Sequence, residues 1–515
     1  MSLLLSFPPI PPEGSVTVCE QNAELLALPK EVAADQLRMQ GLPYPIVDVA
    51  QDLLRPSISR VSARSAFIEH TETPHKCLLQ AWHEHGVSGV LEELAAGNRE
   101  PVAVGRTVSL LASVLLGAVR WANSLRGTIC PHLMMTNEDM VAEFSPNSNW
   151  RDAYIRCFAW HPHTMKFAIA LQDDSVKVYI GCKTDVTPTL KHKLQKGVAD
   201  VAWSYMSSSI LAVACQACTL IWHVDPTSLA SRPSTSSVQV LTRPGHSPVT
   251  GLAWCPTGDT LVTGSAADSS ILVWEVSREM CTALRRFGCI GNSVLSWSPD
   301  GSNLLAASPA AEFRVWECRR WTTEKWCNLS GRVKCAQWSP DGNILLFATV
   351  NEPIIYSLAF QHSGDFKDPG TGGSKVAVQC ADLSETVIGG ISVGGNIQAM
   401  AWDQTGERLA VQFTACELIA LFQTRMQPVL EIIPSGFVCG SVGDIPSVIS
   451  FQPSFAHGAL LTVVWARGTV SYIPLYFIPA KSIQKSALSQ QRSGNMPVPV
   501  ALQPTTLFSR GDNDW

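Results

Sequence analysis

Several short stretches carry residue types at spacings that could do chemistry. Gly390-Ile-Ser392-Val-Gly394 fits the pattern in which a serine is strained onto a turn between a strand and a helix, exposing its hydroxyl for attack on an acyl group. Here the run leads straight from a glycine-rich loop into the apolar stretch Ile397–Trp402, so no such elbow is expected. Cys215 and Cys218 have the spacing of half a zinc ribbon, but no second pair follows at ribbon distance. They lie in an apolar, strand-like run and are expected to be two core thiols. His161-Pro162-His163 could offer two imidazoles to a metal, yet it stands where other parts of the chain place a Ser-Pro-Asp turn. Gly372-Gly373-Ser374-Lys375 lacks the Gly-Lys-Ser/Thr of a phosphate-binding loop. Arg510-Gly511-Asp512 lies in a polar tail of a chain with no secretory signature. The sequence predicts no catalytic residue, no metal site and no cofactor.

One polar set remains. Gly245-His246 precedes Thr263 and Ser265, and Asp268 stands six residues before Trp274. In WD-repeat units a His, an Asp, a strand hydroxyl and a Trp form a buried hydrogen-bond chain. Here Thr263 or Ser265 would supply the hydroxyl. The role is structural, and it directs attention to the elements that hold the four side chains.

Those elements repeat. Each unit begins with an alternating apolar strand that ends in an aromatic, at Trp160, Trp203, Trp254, Trp297, Trp338, Trp402 and Phe451. A turn such as Ser298-Pro299-Asp300-Gly301 or Ser339-Pro340-Asp341-Gly342 follows, in which Pro presets φ and Gly accepts a positive one. A later strand ends in a second aromatic, at Tyr179, Trp222, Trp274, Trp316, Tyr356, Phe422 and Tyr472, 18 to 21 residues after the first. Most units recur at about the 40–45 residues of a four-stranded propeller blade. The expected fold is all-β: a WD-repeat β-propeller of about seven four-stranded blades, with an N-terminal α-helical segment packed on it. No unit but the third has the full His, Asp and Trp set, so the others are expected to rely on packing.

Composition agrees with a repeat architecture. A chain of 515 residues is long for one ordinary core, but stacked repeats bury their apolar faces on one another. Charged residues make up 16%, low for a soluble domain, and the net charge of −5 argues against a nucleic-acid surface. The 16 cysteines are scattered and read as reduced thiols.

The chain divides into an N-terminal segment (1–72), a helical segment (73–149), the propeller (150–478) and a polar tail (479–515). Ser15–Glu20 alternates like a strand and could close the last blade. Helices are expected over Thr73–Gly97, Val104–Leu125 and Glu138–Phe144, the last capped by Asn137. The second is apolar nearly all round and must be covered by the propeller or by another protein. Its uncharged core, Thr107–Val119, is too short to cross a bilayer, which takes roughly 20 apolar residues. Gly364–Gly373, Gly389–Gly395 and the Ser/Thr-rich Thr227–Thr242 read as surface loops.

Particular runs go beyond a generic propeller. Phe158-Ala-Trp-His-Pro-His-Thr164, Asp173-Asp-Ser-Val176, Leu211-Ala-Val-Ala-Cys-Gln216, Phe313-Arg-Val-Trp-Glu317, Ala381-Asp-Leu-Ser-Glu-Thr386 and Ile473-Pro-Leu-Tyr-Phe477 closely resemble the aladin family of WD-repeat nucleoporins. The likeness extends upstream through Arg120-Trp121-Ala122 and weakens after about Pro479. It implies a component of the nuclear pore complex, held at the pore membrane by a transmembrane nucleoporin and contacting other nucleoporins and transport factors. It further implies a part in nucleocytoplasmic transport, a cytoplasmic pool, and a mitotic role at centrosomes and spindle poles. The repeats alone establish only a binding platform, and a general WD-repeat adaptor, such as a ubiquitin-ligase substrate receptor, is the competing reading.

Overall fold

The computed structural model describes residues 2–33, 42–49, 90, 91, 94, 111–118, 121, 131–147, 149–181, 187–224, 233, 234, 236, 238–285, 291–360, 376–427 and 429–477. Seven antiparallel sheets follow the seven units. Six are four-stranded meanders, over residues 155–190, 200–241, 249–285, 294–326, 333–382 and 397–439. Their first strands, such as Ile155–Trp160 and Val249–Trp254, each lie against the first strand of the next sheet. The ring closes between Pro446–Phe451 and Ile155–Trp160. The fold is therefore a closed seven-bladed propeller with the first strands innermost, leaving only short strand edges at the rim.

The seventh blade is assembled from both ends of the chain. Pro446–Phe451, Gly458–Trp465 and Val470–Tyr476 form its inner strands. Ser15–Gln21 then pairs parallel with Val470–Tyr476, through Glu20 opposite Leu475 and Gln21 opposite Tyr476. Glu24–Pro29 turns back on Ser15–Gln21 as a fifth strand. The N-terminal segment continues as a belt. Leu4 and Phe7 are buried against Phe422 and Phe437 of the sixth blade, with the Phe7 and Phe437 rings stacked at 4.5 Å. Residues 42–49 run along the seam of the seventh and first blades, where Tyr44 meets Trp160 edge-on and Tyr472 donates to the Pro45 carbonyl at 3.2 Å.

Three sequence expectations change. Gly389–Gly395 is a two-stranded hairpin, Thr386–Ile388 with Ile391–Val393, and not an irregular loop. Gly389 and Gly390, at φ +60° and +87°, form the tight turn that such a hairpin favours. Val238–Leu241, within the Thr227–Thr242 stretch, is the outer strand of the second blade and not loop. The helix Asn137–Phe144 is capped by Thr136 rather than Asn137. The Thr136 hydroxyl accepts from the Asp139 amide at 3.1 Å and the Asp139 carboxylate reaches back to the Thr136 amide at 3.4 Å, a reciprocal capping box.

Of the first expected helix only residues 90, 91 and 94 are described, and they are helical; of the second, 111–118 and 121 are helical. Ala112 and Leu116 are buried, but Leu111, Val114, Leu115 and Trp121 are exposed. Among the described residues the chain covers Ala112 and Leu116 and leaves Leu111, Val114, Leu115 and Trp121 open. The Gly364–Gly373 loop, the Lys375 region and the tail with Arg510-Gly511-Asp512 lie outside the described residues.

Candidate functional site

Inner strands carry the recurring tryptophans, and the structure gives them a shared task. The Trp203 indole N–H donates to the Ala159 carbonyl at 3.3 Å, Trp254 to Ala202 at 3.1 Å, Trp297 to Ala253 at 3.2 Å and Trp338 to Ser296 at 3.1 Å. Each acceptor is the residue just before the tryptophan of the preceding blade. Four consecutive blade seams are thus tied by one repeated hydrogen bond. Trp160 instead donates to the Thr462 hydroxyl of the seventh blade at 3.0 Å, and Trp402 to Thr424 of its own blade at 3.0 Å. All six but Trp297, which is half-buried, are buried. Packing alone therefore does not hold the degenerate blades together. The repeat spacing locates the donors of the four seam bonds, but their acceptors lie more than 40 residues away and carry no sequence signal.

The third blade shows the polar relay. Trp274 donates to the Thr263 hydroxyl at 3.0 Å, Thr263 lies 3.1 Å from His246 Nε2, and His246 Nδ1 lies 2.8 Å from Asp268. Since the indole can only donate and the carboxylate only accept, the Thr263 O–H must donate to Nε2 and Nδ1–H to Asp268. Burial pushes the Asp268 carboxyl up, but bonds from His246 and Ser270 outweigh it and hold the group below its ordinary range. Ser265, the other hydroxyl considered, caps the following turn by accepting from the Ala267 amide at 3.2 Å. In the second blade Gln195 takes the place of this relay, accepting directly from Trp222 at 3.1 Å.

The remaining chemical-looking stretches are structural. His161 Nδ1 accepts from the amides of His163 and Thr164 at 3.0 and 3.1 Å, closing the turn as the Ser298 hydroxyl does for Asn303. Burial, helped by the Lys166 charge, lowers the His161 pKa to about 4, so the ring is neutral. Cys215 and Cys218 are buried at a strand turn, bonded amide to carbonyl at 2.9 Å, and burial raises the Cys215 thiol well above its ordinary value. Ser392 sits on the exposed hairpin with its hydroxyl bonded to Glu385. Among the described residues no three His, Cys, Asp or Glu side chains cluster as metal ligands.

The feature with no counterpart in the sequence reading is a covered channel mouth. In five blades the innermost strand bulges beside its second residue, at Arg156, Thr250, Lys334, Gln398 and Ser447. A bulge re-aims the side chain it displaces. Above these bulges lies the helix Asn137–Phe144. Met140 and Phe144 pack on Ala266 of the third blade. Glu143 pairs with Arg332 before the fifth, whose guanidinium lies 5.0 Å from the Phe144 ring. Beyond the helix, the Pro146 carbonyl accepts from the Gln398 side chain of the sixth blade at 2.7 Å, and the Asn147 side-chain Nδ2 donates to the Ile155 and Arg156 carbonyls of the first at 3.1 and 3.3 Å. Trp150 donates to Val198, which leads into the second, at 2.8 Å. One short segment touching five of seven blades must lie across the central axis.

On the innermost strand of the second blade, Asp200 accepts from the Val201 and Leu252 amides at 2.8 and 3.3 Å. Its burial outweighs those bonds and lifts its pKa to about 7. 

Closed blades tied by indoles, a His–Asp–Thr–Trp relay and one mouth crossed by the chain's own helix define a WD-repeat β-propeller scaffold. The chain belongs to the aladin family, and residues 136–476 match the model described as the aladin seven-bladed propeller. It is a scaffold of the WD-repeat nucleoporin type. Aladin of Arabidopsis thaliana is 28% identical over 495 residues, covering 91% of this chain and 98% of the relative. A more distant likeness is to Protein HIR1 of Mycosarcoma maydis, 23% identical over 361 residues, covering 62% of this chain and 35% of that protein. Among solved structures, the Cps50 (Swd1) β-propeller domain of Myceliophteria thermophila aligns at 16% identity and a TM-score of 0.48, covering 62% of this chain and 96% of that one.

Proposed function

We propose that this protein is a non-catalytic scaffold of the nuclear pore complex, held at the pore membrane through a transmembrane nucleoporin. It supports nucleocytoplasmic transport of proteins and of mRNA through contacts with other nucleoporins and transport factors. It keeps a cytoplasmic pool and acts at centrosomes and spindle poles in mitosis. The observation that carries this reading is the near end-to-end likeness to an aladin, which covers 91% of this chain, together with the family match over residues 136–476. The geometry supports it in two ways. Rigid blades tied by indole hydrogen bonds at five seams offer surfaces that keep their shape, as assembly in a large complex requires. The helix over one mouth directs partners to the opposite face, the rim and the N-terminal helices.

No described helix is long and apolar enough to cross a membrane, so residence at the envelope is assigned to contact. Anchoring is expected to need the intact propeller with its N-terminal helices, and not the tail beyond Pro479. Tagged full-length, helix-deleted and tail-deleted forms, each checked for folding, test this by their nuclear-rim signal. Full-length and tail-deleted proteins should stain the rim. Diffuse staining of the full-length protein would refute the pore reading and favour a general adaptor. Rim staining by the helix-deleted form would refute the part given to the helices.

A further inference from the structure

The helix Asn137–Phe144 and the turn after it lie where the innermost strands begin, beside Ile155, Arg156 and Val198. At the opposite end each innermost strand turns into the second strand of its blade. In the third to sixth blades that turn carries an acid, Asp259, Asp300, Asp341 and Asp403 in order. The turns of the first and second blades, 161–165 and 204–209, carry no Asp or Glu. They present Met165, Tyr205 and Met206, which are 57%, 38% and 61% exposed. The two turns touch, with the His163 ring edge-on to Tyr205 at 6.4 Å and His161 edge-on to Trp203 at 5.4 Å.

Beneath this apolar rim lies a cation without a counter-charge. Lys166 opens the second strand of the first blade and is only 5% exposed, with its Nζ 4.6 Å from the centre of the Trp203 ring. The indole face attracts the ammonium from one side but is no hydrogen-bond acceptor for its three N–H groups. Among the described residues no side chain or carbonyl accepts from Nζ, and burial alone lowers the lysine pKa to about 8, with no acid raising it. His161, close enough for the lysine charge to lower its pKa, cannot serve as the acceptor. Its Nδ1 already accepts from the His163 and Thr164 amides, so the neutral ring carries its hydrogen on Nε2 and presents a donor. A buried charge normally finds a partner, and here the complement is a carboxylate on a chain with apolar neighbours. A nucleic acid suits the face poorly, because the net charge is −5 and four of the remaining turns carry acids that repel phosphate. The flexible thioethers of Met165 and Met206 suit a peptide, since they re-pack around side chains of varied shape. We infer that the turns of the first and second blades bind an acidic segment of a partner protein, one Asp or Glu side chain reaching Lys166 while an adjacent apolar side chain packs among Met165, Tyr205 and Met206. The inference goes beyond the pore reading and stands apart from it, because peptide binding is measured with no pore component present.

A phage-displayed library of random twelve-residue peptides, selected on the immobilised full-length protein, tests it. Enriched peptides carry Asp or Glu beside a large apolar residue, and a labelled synthetic copy of the most enriched one is the probe for fluorescence anisotropy. Replacing the acid of that peptide by its amide, or Lys166→Met in the protein, weakens binding at least about tenfold. Lys166→Met melts no lower than wild type, because it removes a buried charge that has no partner in the free protein. Tyr205→Ser combined with Met206→Ser weakens binding roughly fivefold and leaves the melting temperature unchanged, since both side chains are exposed. Selection without acidic enrichment would overturn the inference, and so would a peptide that binds the Lys166→Met protein as well as wild type. A Lys166→Met protein that melts well below wild type would make the lysine a structural group and overturn it as well. Tighter binding of a single-stranded oligonucleotide than of any selected peptide, lost on Lys166→Met, would assign the site to nucleic acid and equally overturn it.

Discussion

Replacing Glu20 with Gln removes half of the ion pair that fastens the N-terminal belt to the propeller. Glu20 lies on Ser15–Gln21 with none of its side chain exposed, and Arg408 opens the second strand of the sixth blade at 5%. The guanidinium grips the carboxylate with Nε at 3.0 and 3.2 Å and Nη2 at 2.7 Å. In the variant the arginine keeps a bond to the Glu407 carbonyl at 3.0 Å and the Phe477 ring at 4.6 Å, but loses its counter-charge. Breaking a buried pair costs about 3–5 kcal/mol, and the contacts that survive place this one near the lower end. With an unfolding entropy of roughly 2.1 cal/mol/K per residue over residues 136–476, about 3 kcal/mol lowers the melting temperature by about 4 °C. Because the pair is buried, added salt should leave the difference unchanged. Glu20→Met with Arg408→Met removes both charges and should melt close to wild type. Differential scanning fluorimetry gives the melting temperatures, and limited proteolysis shows whether the N-terminal belt is released first. A Glu20→Gln melt within about 1 °C of wild type, or a double variant as unstable as the single, would refute the clasp.

Further outcomes follow from the blade bonds and the buried titrating groups. Trp254→Phe keeps the ring but cuts the tie to Ala202, and should cost about 1 kcal/mol in denaturant melts, against about 3–5 for Trp254→Ala. Thr263→Val strands His246 Nε2 and the Trp274 N–H in a dry blade and should cost about 2–4 kcal/mol, whereas a loss no larger than for an exposed Thr would discredit the relay. Proline at Thr263 or Ser265, both fully buried on a second strand, should prevent folding or rim staining, and normal melting would contradict that placement. His161 is neutral when folded, with its pKa lowered to about 4 from 6.5, so the stability it contributes is complete above pH 6.5 and is lost as pH falls towards 4. Asp200, raised from 3.8 to about 7, has the opposite sign: its contribution is complete below about pH 4 and is lost as pH rises through 7. His161→Ser should therefore flatten the acid side of the stability profile and Asp200→Asn the neutral side, and an unchanged profile in either variant would contradict the protonation state assigned.

By itself the sequence determined what depends on neighbours within about one blade. Alternation marked the inner strands, Ser-Pro-Asp-Gly set the turns, and the spacing of Trp160, Trp203, Trp254, Trp297, Trp338 and Trp402 set the phase of the blades. The third-blade relay was legible for the same reason, since His246, Thr263, Asp268 and Trp274 fall inside one unit. Only the tertiary structure chose Thr263 over Ser265, because the two share one face of the strand and differ only in how far along it they stand from His246. Only it paired Ser15–Gln21 with Val470–Tyr476, and Glu20 with Arg408 across 388 positions. An edge strand reads alike whichever edge it joins, and a glutamate reads alike exposed or buried. Such contacts form only once the ring of blades has closed and brought distant edges together. The covered mouth has the same origin: Met140, Glu143 and Asn147 look like an ordinary short helix and turn until five blades converge beneath them.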